Sequence, residues 1–453
     1  MSKPTKPTVV LDVLRMNHSV LFCCFVVVIV SLCHPALAQR EPIILEYADS
    51  LVGSGGPGYG IREFWGNVRF RHGNVTVSCD HAIHNPALNS VMLRGRAVIR
   101  QQDLRIEAPE AKYDGNTSIA TAWGGIAVFD GNRTIRSRSG DYAMKSTIGV
   151  FRDSVVAWND SGVVWSDIAW LNRSTNRTTA SGHVVLIDTV SRFIACADSL
   201  DNNLQAQYSR LIGNSTAWTW KEGGSDTMQI DADTLNRSMA DNRITARGRA
   251  SILGASVAAR GNSITYAAAD SVITIEHDPV IWADSSQLYA HIITLHILQQ
   301  HLDRVVGSGE AFLVSRTDTL RPDRYNQVAS DYITLLFTDA ELRELIAVGN
   351  ARSITFGGEQ ENGDGVALFQ ADTIKAYTRD NELSDVFWLG AVEGEHHPEP
   401  VIQQKPEPYR LNDFRWRTDV PVPKPLPRPI LELKHRRITG TPPLLNGTAA
   451  ERK

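Results

Sequence analysis

The sequence lacks what most function classes need. Of its five cysteines, Cys23, Cys24 and Cys33 precede Gln39, which leaves Cys79 and Cys196. Two cysteines make neither a structural thiolate zinc site nor a disulfide framework, and both are expected to be buried free thiols. There is no basic tract. Lys and Arg number 46 against 50 Asp and Glu, with the signs interspersed and a net charge of −4, so no nucleic-acid partner is expected. The apolar run Val20 to Leu32 covers 13 residues, well short of the roughly 20 that span a bilayer. No Gly-x-Ser-x-Gly elbow stands between a strand and a helix. His81, His84, His183, His277, His291, His296 and His301 are dispersed, and His396-His397 lies beside a proline-rich end. No catalytic residues, metal or cofactor are expected, and the chain does not read as an enzyme. Helical periodicity is nearly missing too. Its best candidate is Leu288, Ile292, Leu295, Leu298 and Leu302, which also reads as a strand pair interrupted by an insertion.

What the sequence has is repetition. Ala197-Asp198-Ser199-Leu200 recurs as Ala48-Asp49-Ser50-Leu51, Cys79-Asp80-His81-Ala82, Ser166-Asp167-Ile168-Ala169 and Ala232-Asp233-Thr234-Leu235. Further copies are Ala283-Asp284-Ser285-Ser286, Ser330-Asp331-Tyr332-Ile333 and Ala371-Asp372-Thr373-Ile374, with looser ones at Pro109-Glu110-Ala111 and Gly140-Asp141-Tyr142-Ala143. A glycine follows at a fixed distance. Fifteen residues separate Asp80 from Gly95, Asp167 from Gly182, Asp198 from Gly213 and Asp233 from Gly248. Eighteen separate Asp331 from Gly349 and Asp372 from Gly390. So regular a row of aspartates and glycines points to architecture rather than to one reaction centre.

Between these anchors the chain alternates as strands do. Leu104, Ile106 and Ala108 enclose Arg105 and Glu107, the mark of a sheet with one apolar and one polar face. Breaks such as Asp114-Gly115-Asn116, Asp130-Gly131-Asn132, Gly223-Gly224 and Asn362-Gly363-Asp364 separate the strands. Three residues before the Asp there is usually an apolar side chain (Val77, Val164, Ala195, Ile230, Ile281, Val328, Phe369), and one residue before it a small one. Two residues after it comes another apolar one, such as Leu200, Leu235, Ile333 or Ile374, with the opposite parity. A flat strand would put the two sets on opposite faces. A bend or bulge beside the Asp puts both inside, with the Asp capping amides exposed by the bend.

The ends differ from the middle. Lys3, Lys6 and Arg15, the apolar run and Ala36-Leu37-Ala38 make residues 1–38 read as an export signal, with an uncleaved inner-membrane anchor as the alternative. From His396 the strand pattern stops, and Pro421 to Pro429 alternates proline with other residues. Residues 395–453 therefore read as a proline-rich, low-order tail.

The opening Ile44-Leu45-Glu46-Tyr47-Ala48-Asp49-Ser50 carries a resemblance, together with the segments Gly66-Asn67-Val68, Gly95-Arg96-Ala97-Val98, Ala108-Pro109-Glu110-Ala111-Lys112-Tyr113, Gly182-His183-Val184-Val185 and Gly349-Asn350-Ala351. Residues 42–394 resemble the OstA-like family, which includes the periplasmic bridge protein of lipopolysaccharide transport and the periplasmic domain of its outer-membrane translocon. The resemblance implies an all-β, open β-jellyroll of repeated strand units, here extended or duplicated, with one jellyroll over 42–220 and a second or continuing one over 221–394. After Gly394 too little strand sequence remains for an outer-membrane barrel.

The function so implied is periplasmic carriage of lipopolysaccharide or a related glycolipid, acyl chains in an apolar groove, toward the outer membrane. The expected lining is Val68, Phe70, Val75, Val77, Val91, Leu93, Ile99, Ile106, Val128, Val184, Leu186, Ile194, Ile230 and Ile374. The implied partners are inner- and outer-membrane lipid-transport components and further copies of the chain, joined head to tail through edge strands. Two other readings fit the same repeats. One is a structural or adhesive β-solenoid with a filled core. The other is a carbohydrate-binding β module with a platform drawn from Trp123, Trp158, Trp165, Trp170, Trp218, Trp220 and Trp282.

Overall fold

The computed structural model describes residues 41–54, 60–188, 192–220, 227–255, 257–267, 269–298, 301–316, 323–338, 341–357, 365–379, 382–404 and 409–427. The expected leader, Gly223-Gly224, Asn362-Gly363-Asp364 and the tail beyond Pro427 lie outside them. The chain divides into two units, Met1–Pro42 and Ile43–Lys453, and all the strands belong to the second. Among the described residues no helix is long and apolar enough to cross a membrane.

The described residues of the second unit form one antiparallel sheet of 26 strands. Most strands pair with their neighbours in sequence, from Ile44–Tyr47 and Ser50–Ser54, which both pair with Ile61–His72, to Glu382–Leu389 and Glu393–His397, which both pair with Val366–Arg379. Between them Val257–Ala267 pairs with both Val272–Glu276 and Val280–Ala283, Val272–Glu276 with Ile292–Leu298, and Ser286–Tyr289 with His301–Arg316. The first and last strands are not paired with each other, so the sheet is open and not a closed barrel. Pairing runs on through Tyr208–Trp220 and Thr227–Ser238, so the sheet is continuous across residue 220. Among the described residues from Leu288 to Leu302 there is no helix. Ser286–Tyr289 and Ile292–Leu298 are two strands, and His301 opens the next. Their partners on both sides leave no backbone group free for a helix.

The sheet is creased along one line, and the repeated phrase makes the crease. In Val75–Asn85 the buried positions are Val75, Val77 and Cys79, then Ala82 and His84, so parity switches at Asp80. On the neighbouring strand Val91, Leu93, Ala97 and Ile99 are buried with unbroken parity. The register shifts between Ser78 and His81, which face Val98 and Arg94, because the neighbouring strand carries one residue more there. The expected bend at the Asp is therefore there, with the extra residue on the glycine strand. Its consequence shows in Ile61–His72. Phe64 and Phe70 stand either side of Gly66, and six extended residues would hold them about 20 Å apart. Their ring centroids are 5.3 Å apart at 90°.

The crease divides each long strand between two leaves that face each other, and short strands such as Val272–Glu276 and Val280–Ala283 lie on one leaf each. Leaf A holds the segment before each Asp and after each glycine; leaf B holds the rest. Leaf B is rimmed in the earlier repeats by four-residue turns, each ending in a left-handed residue: Asn89, Ser118, Thr147, Asn176, Gln207 and Asn242. The later 18-residue spacing comes from longer leaf B segments, as in Tyr332–Thr338 against Glu341–Val348.

The structure departs from expectation in three places. Asp284 is not at the crease. Asp284 and Ser285 form a two-residue turn at the rim of leaf A, because Ala283 pairs directly with Ser286. The crease position there is His291, facing Gly309. Asp141 is also displaced onto leaf B: the register shift falls between Arg136 and Ser139, which puts Arg138 at the bend. Finally, residues 409–427 are not loose. They lie extended along the outer face of leaf A, with Tyr409 buried and Leu411, Phe414, Trp416 and Leu426 packed against the sheet.

Candidate functional site

At the crease each glycine has φ near +75° and lies beneath an aspartate. A Cβ on Gly182, Gly213, Gly248, Gly349 or Gly390 would come 2.2–2.3 Å from the Oδ2 of Asp167, Asp198, Asp233, Asp331 or Asp372. On Gly95 it would come 2.7 Å from Asp80, and on Gly66 2.1 Å from Asp49. The glycine is thus required twice, by conformation and by space. The residue after it also has positive φ, and its side chain usually bonds the aspartate. Arg96 donates to Asp80, Asn214 to Asp198 at 3.0 Å, Arg249 to Asp233 and Asn350 to Asp331 at 3.1 Å. The aspartate therefore grips that side chain, whereas the sequence suggests capping of amides. The Arg96 hydrogen bond holds the Asp80 carboxyl below its ordinary range. Pro109 takes the aspartate's place over Gly124. These groups are exposed, spread along a line and paired, which makes them a joint and not a reaction centre. Among the described residues no three His, Cys, Asp or Glu side chains stand together to hold a metal.

The facing leaves enclose two cores. The first gathers buried residues from Ile43 to Leu171, among them Phe64, Phe70, Tyr113, Tyr142 and Phe151. Of the expected groove residues it contains Val68, Phe70, Val75, Val77, Val91, Leu93, Ile99, Ile106 and Val128, all 4% exposed or less. Two sets of contacts tie its rims. His72 of leaf A and Tyr113 of leaf B bond at 2.8 Å. Arg173 of leaf B meets Asp103 at 2.7 Å and Asp130 at 2.9 Å, both on the rim of leaf A. His84 packs on Phe70 across the interior. Burial, with the charge of Arg62, pushes its imidazole down to about 4. Burial pushes the Cys79 thiol up to about 11.

The second core runs from Ala180 to Ala376 and has another composition. Among the described residues each core has 28 buried ones, but 13 of the second are alanine and none is aromatic. Fourteen half-buried apolar side chains pack against it, including Val164, Ile230, Ile252, Leu313 and Val328 of leaf A and Ile273, Leu302, Phe337 and Leu342 of leaf B. The first core has two, Ala48 and Ala157. Val184 and Ile374 of the expected set are buried in the second core, and Ile230 stands half-buried against it. Leu186 pairs with Ala195, a member of that core, and is half-buried on the same face.

Ile194 does not belong with them. It packs with Val185, Ile187 and Trp218 on the outer face, beneath Leu426. It stands four residues before Asp198, and the inward position is three before, where Ala195 sits. Cys79 and Cys196 are free and cannot meet, because Cys79 faces the first core and Cys196 the outer cluster. Sequence reasoning missed the rim contacts of Arg173, whose partners lie 43 and 70 residues away. It also missed Gln229, Gln287 and Gln327. Their signal was available: each precedes a crease residue (Asp233, His291, Asp331) by four positions.

The molecule is thus of the class of creased, edge-open antiparallel sheets built from repeated strand pairs. Its N-terminal part is an OstA-like domain, since residues 40–193 match the model of the OstA-like protein family. That family is periplasmic and has a general role in lipopolysaccharide transport. No curated protein matches the sequence. Among solved structures, the chain is similar to LptH, "the LptA homologous periplasmic component of the conserved lipopolysaccharide transport device from Pseudomonas aeruginosa". That similarity is 13% identity over 32% of this chain and 82% of that one, with a TM-score of 0.19, a likeness too slight to add to the family match.

Proposed function

We propose that the chain is a periplasmic lipopolysaccharide- or glycolipid-binding transport protein whose acyl-chain groove lies between the leaves of the second core. One observation carries the location. The second core lines its interior with alanine and edges it with half-buried aliphatic side chains. Alanine leaves room between the leaves, and the edging gives an apolar surface that acyl chains can cover at about 0.8 kcal/mol per methylene. Repeating the same apolar positions from strand pair to strand pair makes neighbouring sites nearly equal in energy, as a sliding cargo needs. Val184, Leu186, Ile230 and Ile374 remain candidate lining residues; the nine candidates of the first core serve packing. A filled β-solenoid describes that first core well, and it is the second reading for that half alone.

The sheet edges are the proposed joining surfaces to transport partners or to further copies. Ile44, Leu45, Tyr47, Leu51 and Val52 are exposed at one edge, and Leu383, Phe387 and Leu389 at the other. The division at residue 220 into two jellyrolls becomes, in this proposal, one continuous sheet with a closed half and an open half.

Photocrosslinking tests the location. A benzophenone amino acid is placed at Ile230, Leu313 or Val68 of the full chain, which is then incubated with lipopolysaccharide in detergent micelles. Adducts at Ile230 and Leu313 but not at Val68 are expected. Adducts at Val68 alone would move the cargo to the first core, and none at any position would remove the carrier function.

A further inference from the structure

The outer face of leaf A bears a second apolar surface, and a segment of the chain already lies on it. Residues 409–427 cross successive strands in the direction opposite to the sheet's own progress. Tyr409 is buried with Ile354, Phe356 and Val366. Phe414 meets Tyr325 edge-on and Trp416 meets it at a tilt, with ring centroids 5.1 and 5.0 Å away. Leu426 ends on Val185, Ile187, Ile194 and Trp218.

Three nearly inaccessible glutamines hold the backbone of this strap. Gln327 donates to the carbonyl of Tyr409 at 3.0 Å and accepts from the N–H of Leu411 at 2.9 Å. Gln287 donates to the carbonyl of Arg417 at 2.8 Å and accepts from its N–H at 2.9 Å. Gln229 donates to the carbonyl of Val422 at 3.2 Å and accepts from the N–H of Lys424 at 2.8 Å. Their exposures are 1, 2 and 5%. A primary amide offers a donor and an acceptor side by side, as a neighbouring strand does, so each glutamine acts as one rung of a ladder. Prolines at 421, 423 and 425 lack an N–H and favour the extended form, which leaves alternate residues such as Lys424 to donate. Ion pairs fix the register: Lys424 with Asp231 at 2.7 Å, Arg417 with Asp278 at 2.7 Å, and Arg260 with Asp419 at 2.5 Å.

We propose that the outer face of leaf A is a peptide-binding track that reads an extended, proline-containing segment through its glutamine rungs, and that its ligand is this chain's own residues 409–427. The strap is then a separable ligand and not merely the end of the fold. Buried, paired glutamines at the same repeat position are poor choices for simple apolar cover, because each costs desolvation unless a backbone fills it. The track does not depend on the lipid cargo.

The test uses the full chain with a protease-cleavable sequence in place of residues 405–408, folded first and then cut. A fluorescent synthetic peptide of residues 409–427 is added, and binding is read by anisotropy. Saturable binding is expected, in competition with the cut strap, and at least tenfold weaker with Q287L or Q327L. Retention of those variants' sheet is checked by circular dichroism, and the milder Q229E, which keeps the acceptor and loses the donor, serves if they misfold. Loss of the strap on cutting with no rebinding of the peptide would overturn the proposal, as would equal binding to the glutamine variants. A chain that is dimeric before cutting and monomeric after it would assign the track to the strap of a second copy instead.

Discussion

The two halves of the sheet share one joint and differ in what they enclose. The Asp–Gly crease has the same geometry at Gly95, in the half matched by the OstA-like family model, and at Gly248, beyond it. Yet the first half closes on aromatic rings and ties its rims together, while the second is lined with alanine and leaves aliphatic side chains half-buried. The crease sets the angle of the leaves; the size of the side chains between them decides whether the space is filled. A repeat can therefore preserve its architecture while the side chains between the leaves change from aromatic to alanine-rich.

Substitutions can break this contrast, and the largest effect is expected in the first core. Phe70→Ala removes a fully buried ring and should cost about 3–5 kcal/mol by urea denaturation. Ile230→Ala, half-buried at the second core, should cost about 1 kcal/mol. Equal costs would mean that both halves are packed alike.

Next comes acid. The folded chain holds His84 neutral down to about 4, whereas an unfolded imidazole takes its proton near 6.5. Between these values the unfolded state binds more protons, so stability falls as pH falls through that window. The loss is on the order of 2–3 kcal/mol. His84→Leu should flatten the dependence measured by denaturation between pH 7.5 and 4. An unchanged slope would place the acid sensitivity elsewhere.

The joint itself should respond equally in both halves. Gly95→Ala and Gly248→Ala each force a Cβ against an aspartate at positive φ, at about 2 kcal/mol apiece. Adding Asp80→Ala or Asp233→Ala should return part of each loss, because the space opens while the φ strain stays. Additive losses in the double variants would deny the Asp–Gly contact. The smallest effect is at the rim. Arg173→Met should cost about 1 kcal/mol and speed amide exchange at the turns near Asp103 and Asp130. No change in exchange there would mean that the rims stay shut through apolar packing alone.

Much of this was legible in the sequence. Residues three before and two after each Asp have opposite parity and both face inward, which demands a bend. A spacing of fifteen residues, or eighteen in the later repeats, puts the Asp over its glycine. The sequence misled where composition imitated position. Ala283-Asp284-Ser285 copies the phrase at a rim turn, and His291 holds the crease without resembling it. Ile194 is as apolar as Ile230, but one residue of register turns it outward. Nothing local marked Arg173 as a rim contact, because its partners are far along the chain.

The sequence by itself determined the all-strand character, the crease and its glycines, because these rest on parity, φ and spacing within one or two strands. Only the tertiary structure decided that the first core is closed and that residues 409–427 bind the outer face. Those outcomes depend on side chains from opposite leaves and from segments up to about 200 residues apart meeting in space, and no local pattern encodes that meeting.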